Sequence, residues 1–224
     1  MKLNNYLAAI FAIAFVPVMA QSTSSDSTKP SFPHKMRDGF IGGAFVLGNS
    51  NKGSEVIYGQ SREFIVGGGF GYRFAKWNDI GVDIYYKSTD FFLKQDSSKT
   101  LPNNILHNSE KVSFDNFGGK VFDRFYKGKM FLDGGAYLDW VIYTKHISWD
   151  NNGVANISSG SSTKTIDRQL KFTTPTNYGL TFRLGSKQGV ALYFNYRLSN
   201  YFKSTTSYTE LPVYTLGIAL GAHQ

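Results

Sequence analysis

The chain has 224 residues, 24 Lys and Arg against 16 Asp and Glu, 23 glycines, 19 phenylalanines, 14 tyrosines and no cysteine. The lack of cysteine excludes a disulfide framework, a thiolate metal site and a lipid-modified N-terminal cysteine. No stretch beyond the N-terminal segment approaches the roughly 18 apolar residues of a membrane-spanning helix, which excludes a helical membrane protein, whereas abundant glycine and aromatic residues indicate β-structure with tight turns.

The first 20 residues have the features of an export signal. Lys2 supplies a positive charge, and the apolar run 6–16 that follows is too short to span a bilayer as a helix. Val18 and Ala20 place small residues three and one positions before Gln21, the cleavage pattern of such signals. We predict a signal peptide over residues 1–20, cleaved near Ala20-Gln21, with an uncleaved anchor as the alternative.

Residues 21–38 are rich in Ser, Thr and Pro and offer little to bury. This composition predicts a disordered lead-in, which we place on the periplasmic side. From Gly39 onward the dominant hydrophobic period is two, the signature of β-strands.

The clearest strand runs from Lys129 to Ile147. One face of it is apolar throughout, from Met130 to Ile142, whereas the other carries Asp133 and Asp139. The apolar face is suited to lipid and the charged face is not. Residues 111–126 change phase near Asn116, for which a β-bulge at 116–118 is the hypothesis.

Eight alternating segments follow one another along the chain, and they span 40–47, 63–74, 80–87, 111–126, 129–147, 177–184, 190–199 and 214–221. Their connections alternate in length: 48–61, 90–110 and 148–169 are long, 200–210 is intermediate, and 75–79, 126–129 and 185–189 are short. Short periplasmic turns and longer external loops are typical of bacterial outer-membrane barrels. The pattern predicts an all-β fold over 39–224, an eight-stranded antiparallel up-and-down transmembrane β-barrel.

The faces predicted to point inward carry five acids and six bases, namely Glu63, Asp83, Asp115, Asp133, Asp139, Arg73, Lys87, Lys120, Arg124, Arg183 and Arg197. Because an eight-stranded barrel encloses only enough room for side chains, we expect these charges to pair and close the lumen. Two alternatives stay open. One is an ion path lined by the same charges, and the other is a soluble, lipocalin-like barrel with aliphatic side chains inside and charges outside.

Three further patterns are candidates for a site. The glycines of 67–71 lack a following helix, so a dinucleotide-binding loop is excluded by context. The four histidines have no metal-site spacing, and neither a metal nor a cofactor is expected. His146 and Ser148, predicted on the lipid-facing side, resemble the His-x-Ser pair of the outer-membrane lipid A 3-O-deacylases, in which the histidine activates the serine. Trp149 stands where that family usually has Asn, and the carboxylates nearest in sequence are Asp150 and Asp167.

Basic residues in or beside the long connections suggest contact with an anionic surface. They are Lys94, Lys99, Lys111, Lys145, Lys164, Arg168 and Lys171. Such residues are suited to the phosphates of lipopolysaccharide, and ordinary solvation of loop tips is the alternative. Nucleic acid is not expected as a partner.

The chain from Gly39 to Gln224 resembles the porin-like or PorT-like outer-membrane β-barrel proteins of Bacteroidetes. The resemblance rests on the signal peptide and lead-in, on "FIVGGGFGYRF" and "GVALYFNYRLSN", and on the closing "LPVYTLGIALG". It implies a barrel of the size of OmpA or OmpX in the outer membrane, inserted by the barrel-insertion machinery. One departure is the end of the chain, Gly221–Gln224, which lacks the usual terminal aromatic residue.

Three hypotheses for function follow from this resemblance and from the residues. The first is a non-enzymatic barrel that stabilises the envelope or presents loops to an extracellular partner. The second is a narrow porin or a secretion-accessory barrel. The third is a lipid A deacylase-like esterase that uses His146 and Ser148.

Overall fold

The computed structural model describes residues 35–48, 51–151, 162–187 and 189–223. The predicted signal peptide and residues 21–34 of the predicted lead-in lie outside this part. The described residues form nine β-strands, and none of them is helical: β1 Lys35–Leu47, β2 Arg62–Ala75, β3 Asn78–Phe92, β4 Ser109–Lys127, β5 Met130–Asn151, β6 Ser162–Arg168, β7 Thr176–Ser186, β8 Val190–Arg197 and β9 Tyr214–His223. Across these ranges, no helix of the length and apolarity needed to cross a membrane is present.

The nine strands form one antiparallel sheet that closes in a ring. β1 pairs with β2 on one side and with β9 on the other, and β4 pairs with β5, so that eight strands complete the circuit. β6 lies outside this circuit. Within the described residues it pairs only with Lys145–Asn151 of β5, whereas β7 pairs with Met130–Trp140 of the same strand. The all-β, antiparallel prediction is therefore confirmed, but the sheet has nine strands rather than eight.

The ninth strand arises because β5, with 22 residues, continues well beyond the ring. Its last seven residues form a hairpin with β6 in the segment that was predicted as one long loop. Short connections join strands at one end of the ring, which we call the turn end. The longer connections lie at the opposite end, the loop end.

The first strand begins at Lys35, four residues before the predicted start at Gly39. Residues 35–38 therefore belong to β1 rather than to the lead-in. Met36 and Asp38 are buried on the inner face. Their pairing with β2 and, at Asp38, with β9 explains why a polar segment is ordered here.

The predicted bulge lies on a different strand. β4 keeps one phase along its whole pairing with β3. The register between β4 and β5 shifts where Asp115 pairs with Tyr143 and Asn116 with Val141, which leaves Ile142 as the extra residue on β5. Beyond Ile142 the inward positions of β5 are therefore even-numbered.

Side chains on the inner and outer faces of the ring differ sharply in polarity. Charged residues fill much of the interior, whereas large apolar residues cover the outside, with Phe70 and Phe74 64% and 65% exposed. Glycine relieves crowding inside, since a Cβ at Gly69 would lie 2.1 Å from Oδ1 of Asp83.

The described parts of three connections, those between β1 and β2, between β3 and β4 and between β8 and β9, fold over the loop end instead of projecting as polar tips. They bury an apolar cluster together with the ends of β1, β3 and β4, formed by Val46, Val56, Phe91, Leu93, Leu101, Val112, Phe114, Tyr201, Phe202 and Leu211. We call this cluster the cap. Phe114 stacks on Tyr201 with ring centroids 4.1 Å apart, which fixes the connection between β8 and β9 onto the ring.

Candidate functional site

Six charged side chains at the turn end of the interior form what we call the basal cluster: Asp38, Asp83, Asp133, Lys120, Arg124 and Arg183. Arg124 lies 2.6 Å from Oδ2 of Asp38 and 2.7 Å from Oδ1 of Asp133. Arg183 lies 2.6 Å from Asp133, and Lys120 lies 3.0 Å from Asp83. Three acids face three bases, so the buried cluster is electrically balanced. Within the described residues, the Asp83 carboxylate and Nη1 of Arg183 are held by ion pairs without a hydrogen bond of regular geometry.

A second group, the central cluster, lies between the basal cluster and the cap. Lys87 forms an ion pair with Asp139 and lies 4.0 Å from Glu63. The Tyr85 hydroxyl donates to Asp139 at 2.7 Å, and the Asn195 amide lies 3.4 Å from Glu63. This cluster holds two carboxyl groups and one ammonium, with tyrosine and asparagine supplying additional donors.

Further ion pairs lie at the two ends of the ring. At the turn end, Arg73 lies 2.6 Å from Asp79. At the loop end, Arg197 lies 2.9 Å from Glu210 and donates to the Leu211 carbonyl at 2.8 Å. Arg197 therefore ties the charged interior to the cap.

Ten of the eleven predicted lumen residues occupy the interior, and Asp115 does not. Asp115 was predicted to point inward because the phase change was assigned to β4. With one phase along β4, it lies on the outer face, where it accepts a hydrogen bond from Ser88 at 2.6 Å and lies 3.9 Å from Lys145. The prediction for Asp115 was wrong.

Sequence reasoning missed three carboxylates that serve as partners for the predicted bases: Asp38, Asp79 and Glu210. Asp38 was assigned to the lead-in, and Glu210 to a loop. Asp79 was assigned to a turn, although it is in phase with Asp83, and this spacing was the signal that could have identified it.

Little free volume remains between these side chains. Two cavities of about 20 Å³ each lie in the interior, one beside Lys120 and Tyr85 and the other beside Glu63 and Tyr201. Each has room for about one water molecule.

His146 and Ser148 point into the loop end rather than toward the outer surface, because Ile142 shifts the phase of β5. Nε2 of His146 lies 2.6 Å from Glu110, and Nδ1 lies 3.1 Å from Asp167. The predicted lipid-facing orientation was wrong. With both ring nitrogens engaged by carboxylates, the imidazole is not placed to accept a proton from Ser148.

The protonation of His146 is coupled to that of Glu110. Burial acts to lower the pKa of His146, but the hydrogen bonds with Glu110 and Asp167 outweigh it and raise the pKa above its ordinary value. Burial acts to raise the pKa of Glu110, but His146, Lys99 and then Gln95 outweigh it and lower the pKa. Among the described residues, no group of three or more His, Asp and Glu side chains is arranged to hold a metal ion.

Several of the basic residues predicted to bind lipopolysaccharide are neutralised within the protein. Lys94 lies 2.8 Å from Glu55, Lys99 lies 2.8 Å from Glu110, and Lys111 lies 2.5 Å from Asp90. Of the other predicted bases, Lys145 lies on β5, Lys164 and Arg168 on β6, and Lys171 follows β6.

Comparison with known proteins gives no family for the chain. The sequence matches no protein-family model, and no curated protein resembles it significantly.

Proposed function

We propose that the chain is a non-enzymatic outer-membrane β-barrel protein with a charge-paired, closed lumen and a folded cap that faces the cell exterior. The observation that carries this proposal is a reversal of polarity along the strands. On β4, the outer face bears Phe117, Val121 and Phe125 beside the interior charges Lys120 and Arg124. Hydrocarbon is the solvent that favours apolar side chains outside a charged interior.

Toward the loop end the same strand has the opposite arrangement. Val112 and Phe114 are fully buried in the cap, whereas Lys111 and Ser113 bond with Asp90 on the outer face. β3 changes in the same way, from outward Ile84 to outward Ser88 and Asp90. An aqueous environment favours this second arrangement, so the boundary between the two marks the proposed membrane surface.

The dimensions and aromatic residues agree with this boundary. On β5 the apolar outer face extends from Met130 to Ile142, slightly longer than the roughly 9 to 11 residues that a tilted strand needs to cross hydrocarbon. A row of three paired aromatic residues lies at the loop end of this apolar face: Tyr86, Phe117 and Trp140. At the turn end of the apolar outer surface, Trp77 stacks on Phe125. Aromatic residues of this kind prefer the membrane interface.

The closed interior supports a role in envelope structure or in loop-mediated interaction. Arg124 forms ion pairs with Asp38 and Asp133 across the lumen, and each interior cavity has room for only about one water molecule. Both features argue against bulk transport through the ring. Export, signal-peptide cleavage, contact with lipopolysaccharide and the porin-like or PorT-like kinship belong to the same proposal.

Heat-modifiable migration is the first experiment for this proposal. The refolded chain in detergent should migrate faster before boiling than after it, and it should partition with the outer-membrane fraction. Recovery with soluble proteins and an unchanged migration would contradict the proposal.

A narrow pore is the second candidate, favoured by the extra carboxyl group of the central cluster and by the cavities on either side of Lys87. Planar-bilayer recording distinguishes the closed lumen from the narrow pore. The closed-lumen proposal predicts no stable conductance steps, and reproducible steps that change in Lys87→Gln would favour the pore.

A further inference from the structure

The hairpin of β5 and β6 carries an ordered array of side chains on its outer face. Directly paired residues form successive rows beyond the aromatic row of Phe117 and Trp140: Asp115 and Tyr143, then Ser113, Lys145 and Arg168, then Lys111, Ile147 and Ile166, then Ser109, Trp149 and Lys164. We call Lys145, Arg168, Lys164 and Trp149 the hairpin face.

Acidic and basic side chains are separated between the two faces of this hairpin. Its carboxylates point inward, where Asp167 lies 3.1 Å from His146 and Asp150 lies 2.8 Å from His107. Lys145 and Arg168 point the other way. The hairpin face therefore has a net positive charge, although Asp167 lies next to Arg168 in the sequence of β6.

The cations of the hairpin face are less neutralised than other bases nearby. Lys145 lies 3.9 Å from Asp115, a much longer separation than the 2.5 Å between Lys111 and Asp90. Within the ranges described, no carboxylate lies within ion-pair distance of Lys164 or Arg168, and both residues are exposed. The Lys164 ammonium instead lies 5.5 Å from the Trp149 ring.

The distance of these residues from the proposed membrane interface indicates which part of a lipid they would contact. Successive residues on one face of a strand are about 7 Å apart, so the row of Lys145 and Arg168 lies about 14 Å along the strand from the aromatic row. With a strand tilt of about 40°, this corresponds to about 10 Å above the membrane interface. A phosphorylated sugar headgroup occupies that layer.

We infer that the hairpin face binds the phosphate groups of a phosphorylated glycolipid of the outer leaflet, of the lipid A type. This inference rests on the proposed membrane location. Arg168 offers paired N–H donors to phosphate oxygens, and Lys145, its direct cross-strand neighbour, adds a point charge. Trp149 supplies a flat apolar surface next to Lys164 for the sugar ring.

Native mass spectrometry of the folded chain in detergent tests this inference with purified bisphosphorylated lipid A. The double variant Lys145→Gln, Arg168→Gln should bind it at least tenfold more weakly than the unmodified chain does. The matched control is Lys127→Gln, Lys129→Gln, which removes two exposed charges from the turn end and should bind normally. Dephosphorylated lipid A should bind the unmodified chain weakly, and it should bind the double variant Lys145→Gln, Arg168→Gln equally weakly.

Equal binding by the two double variants would overturn the inference, and so would equal binding of dephosphorylated lipid A. Displacement of lipid A by an equal concentration of inorganic phosphate would overturn the assignment to a lipid and indicate a free-phosphate site. Heat-modifiable migration of each variant is recorded in parallel. Loss of binding with retained migration supports the inference, whereas failure of the unmodified chain to show heat-modifiable migration contradicts the proposed barrel itself.

Discussion

Arg124 illustrates how a single residue organises the interior at the scale of side chains. It is fully buried, and its guanidinium joins Asp38 of β1 to Asp133 of β5. A buried charge of this kind is tolerated only when its partners are in place. The residue therefore acts as a cross-link between strands that are distant in sequence.

Replacing Arg124 should destabilise the fold strongly. Arg124→Met leaves Asp38 and Asp133 partly unpaired in the interior and should lower the free energy of unfolding by about 3–5 kcal/mol. Urea unfolding in lipid vesicles, followed by gel migration, measures the change. Arg62→Met, at an exposed outer position, is the control and should shift the midpoint little. Equal effects of the two changes would contradict the structural role of the basal cluster.

Protonation of His146 and Glu110 should control how firmly the cap is held. The pKa of His146 is raised above 6.5, so its contribution is complete below pH 6.5 and is lost as the pH rises through the raised pKa. The pKa of Glu110 is lowered below 4.5, so its contribution is complete above pH 4.5 and is lost as the pH falls through the lowered pKa. The cap should be held best between these limits.

Hydrogen exchange of residues 93–108, corrected for the intrinsic effect of pH, measures this dependence. Protection should fall when the pH is raised from 6 to 9, and His146→Gln should remove that fall because glutamine does not titrate. Protection that rises toward pH 9, or an identical profile in the variant, would refute the coupling.

Inward residues were predictable from sequence wherever charges alternate with apolar residues below the proposed membrane surface. Glu63, Lys87 and Arg183 are examples. Asp115 and His146 were not predictable, because the prediction assumed that apolar residues face outward along the whole strand. At the loop end the cap makes the interior apolar, and a one-residue bulge leaves no mark in composition.

At the scale of elements, close approach between β2 and β3 depends on glycine. A Cβ at Gly69 would lie 2.1 Å from Oδ1 of Asp83 and 2.2 Å from the Val82 carbonyl oxygen. The Val82 carbonyl oxygen cannot move away without disrupting the pairing of β2 with β3. The sequence pattern indicated a strand at this point and a structural role for its glycines, but it did not identify which of them is most constrained.

Gly69→Ala should destabilise the ring by about 1–3 kcal/mol through overpacking. Gly43→Ala is the matched control, since its Cβ would lie 3.7 Å from the Glu63 carbonyl oxygen, an ordinary contact, on the outer face. Thermal loss of the compact gel form reports both changes. A Gly43→Ala variant as unstable as Gly69→Ala would contradict this account of strand spacing.

The hairpin of β5 and β6 was the element least accessible to prediction. Ser162–Arg168 has no apolar alternation, and its strand conformation comes from pairing with the extended end of β5. Long-range pairing of this kind overrides local propensity.

At the scale of the whole molecule, the antiparallel order and the alternation of short and long connections were predictable, because hydrophobic period and turn spacing are local properties. The folded cap was not predictable. Its core joins residues such as Val56, Leu101 and Leu211 from separate connections, and none of those segments is recognisable as a core by itself.

The central claim is that the ring of strands lies in a membrane, with apolar side chains facing lipid and charged side chains inside. A spin-label scan of β5 and β6 in lipid vesicles tests this claim most directly. The chain has no cysteine, so single cysteines can be introduced without background labelling. Labels at Leu132 and Leu138 should be accessible to oxygen and shielded from a water-soluble nickel reagent, and a label at Lys164 should show the reverse. Labels at Leu132 and Leu138 that are freely accessible to the nickel reagent would contradict the claim.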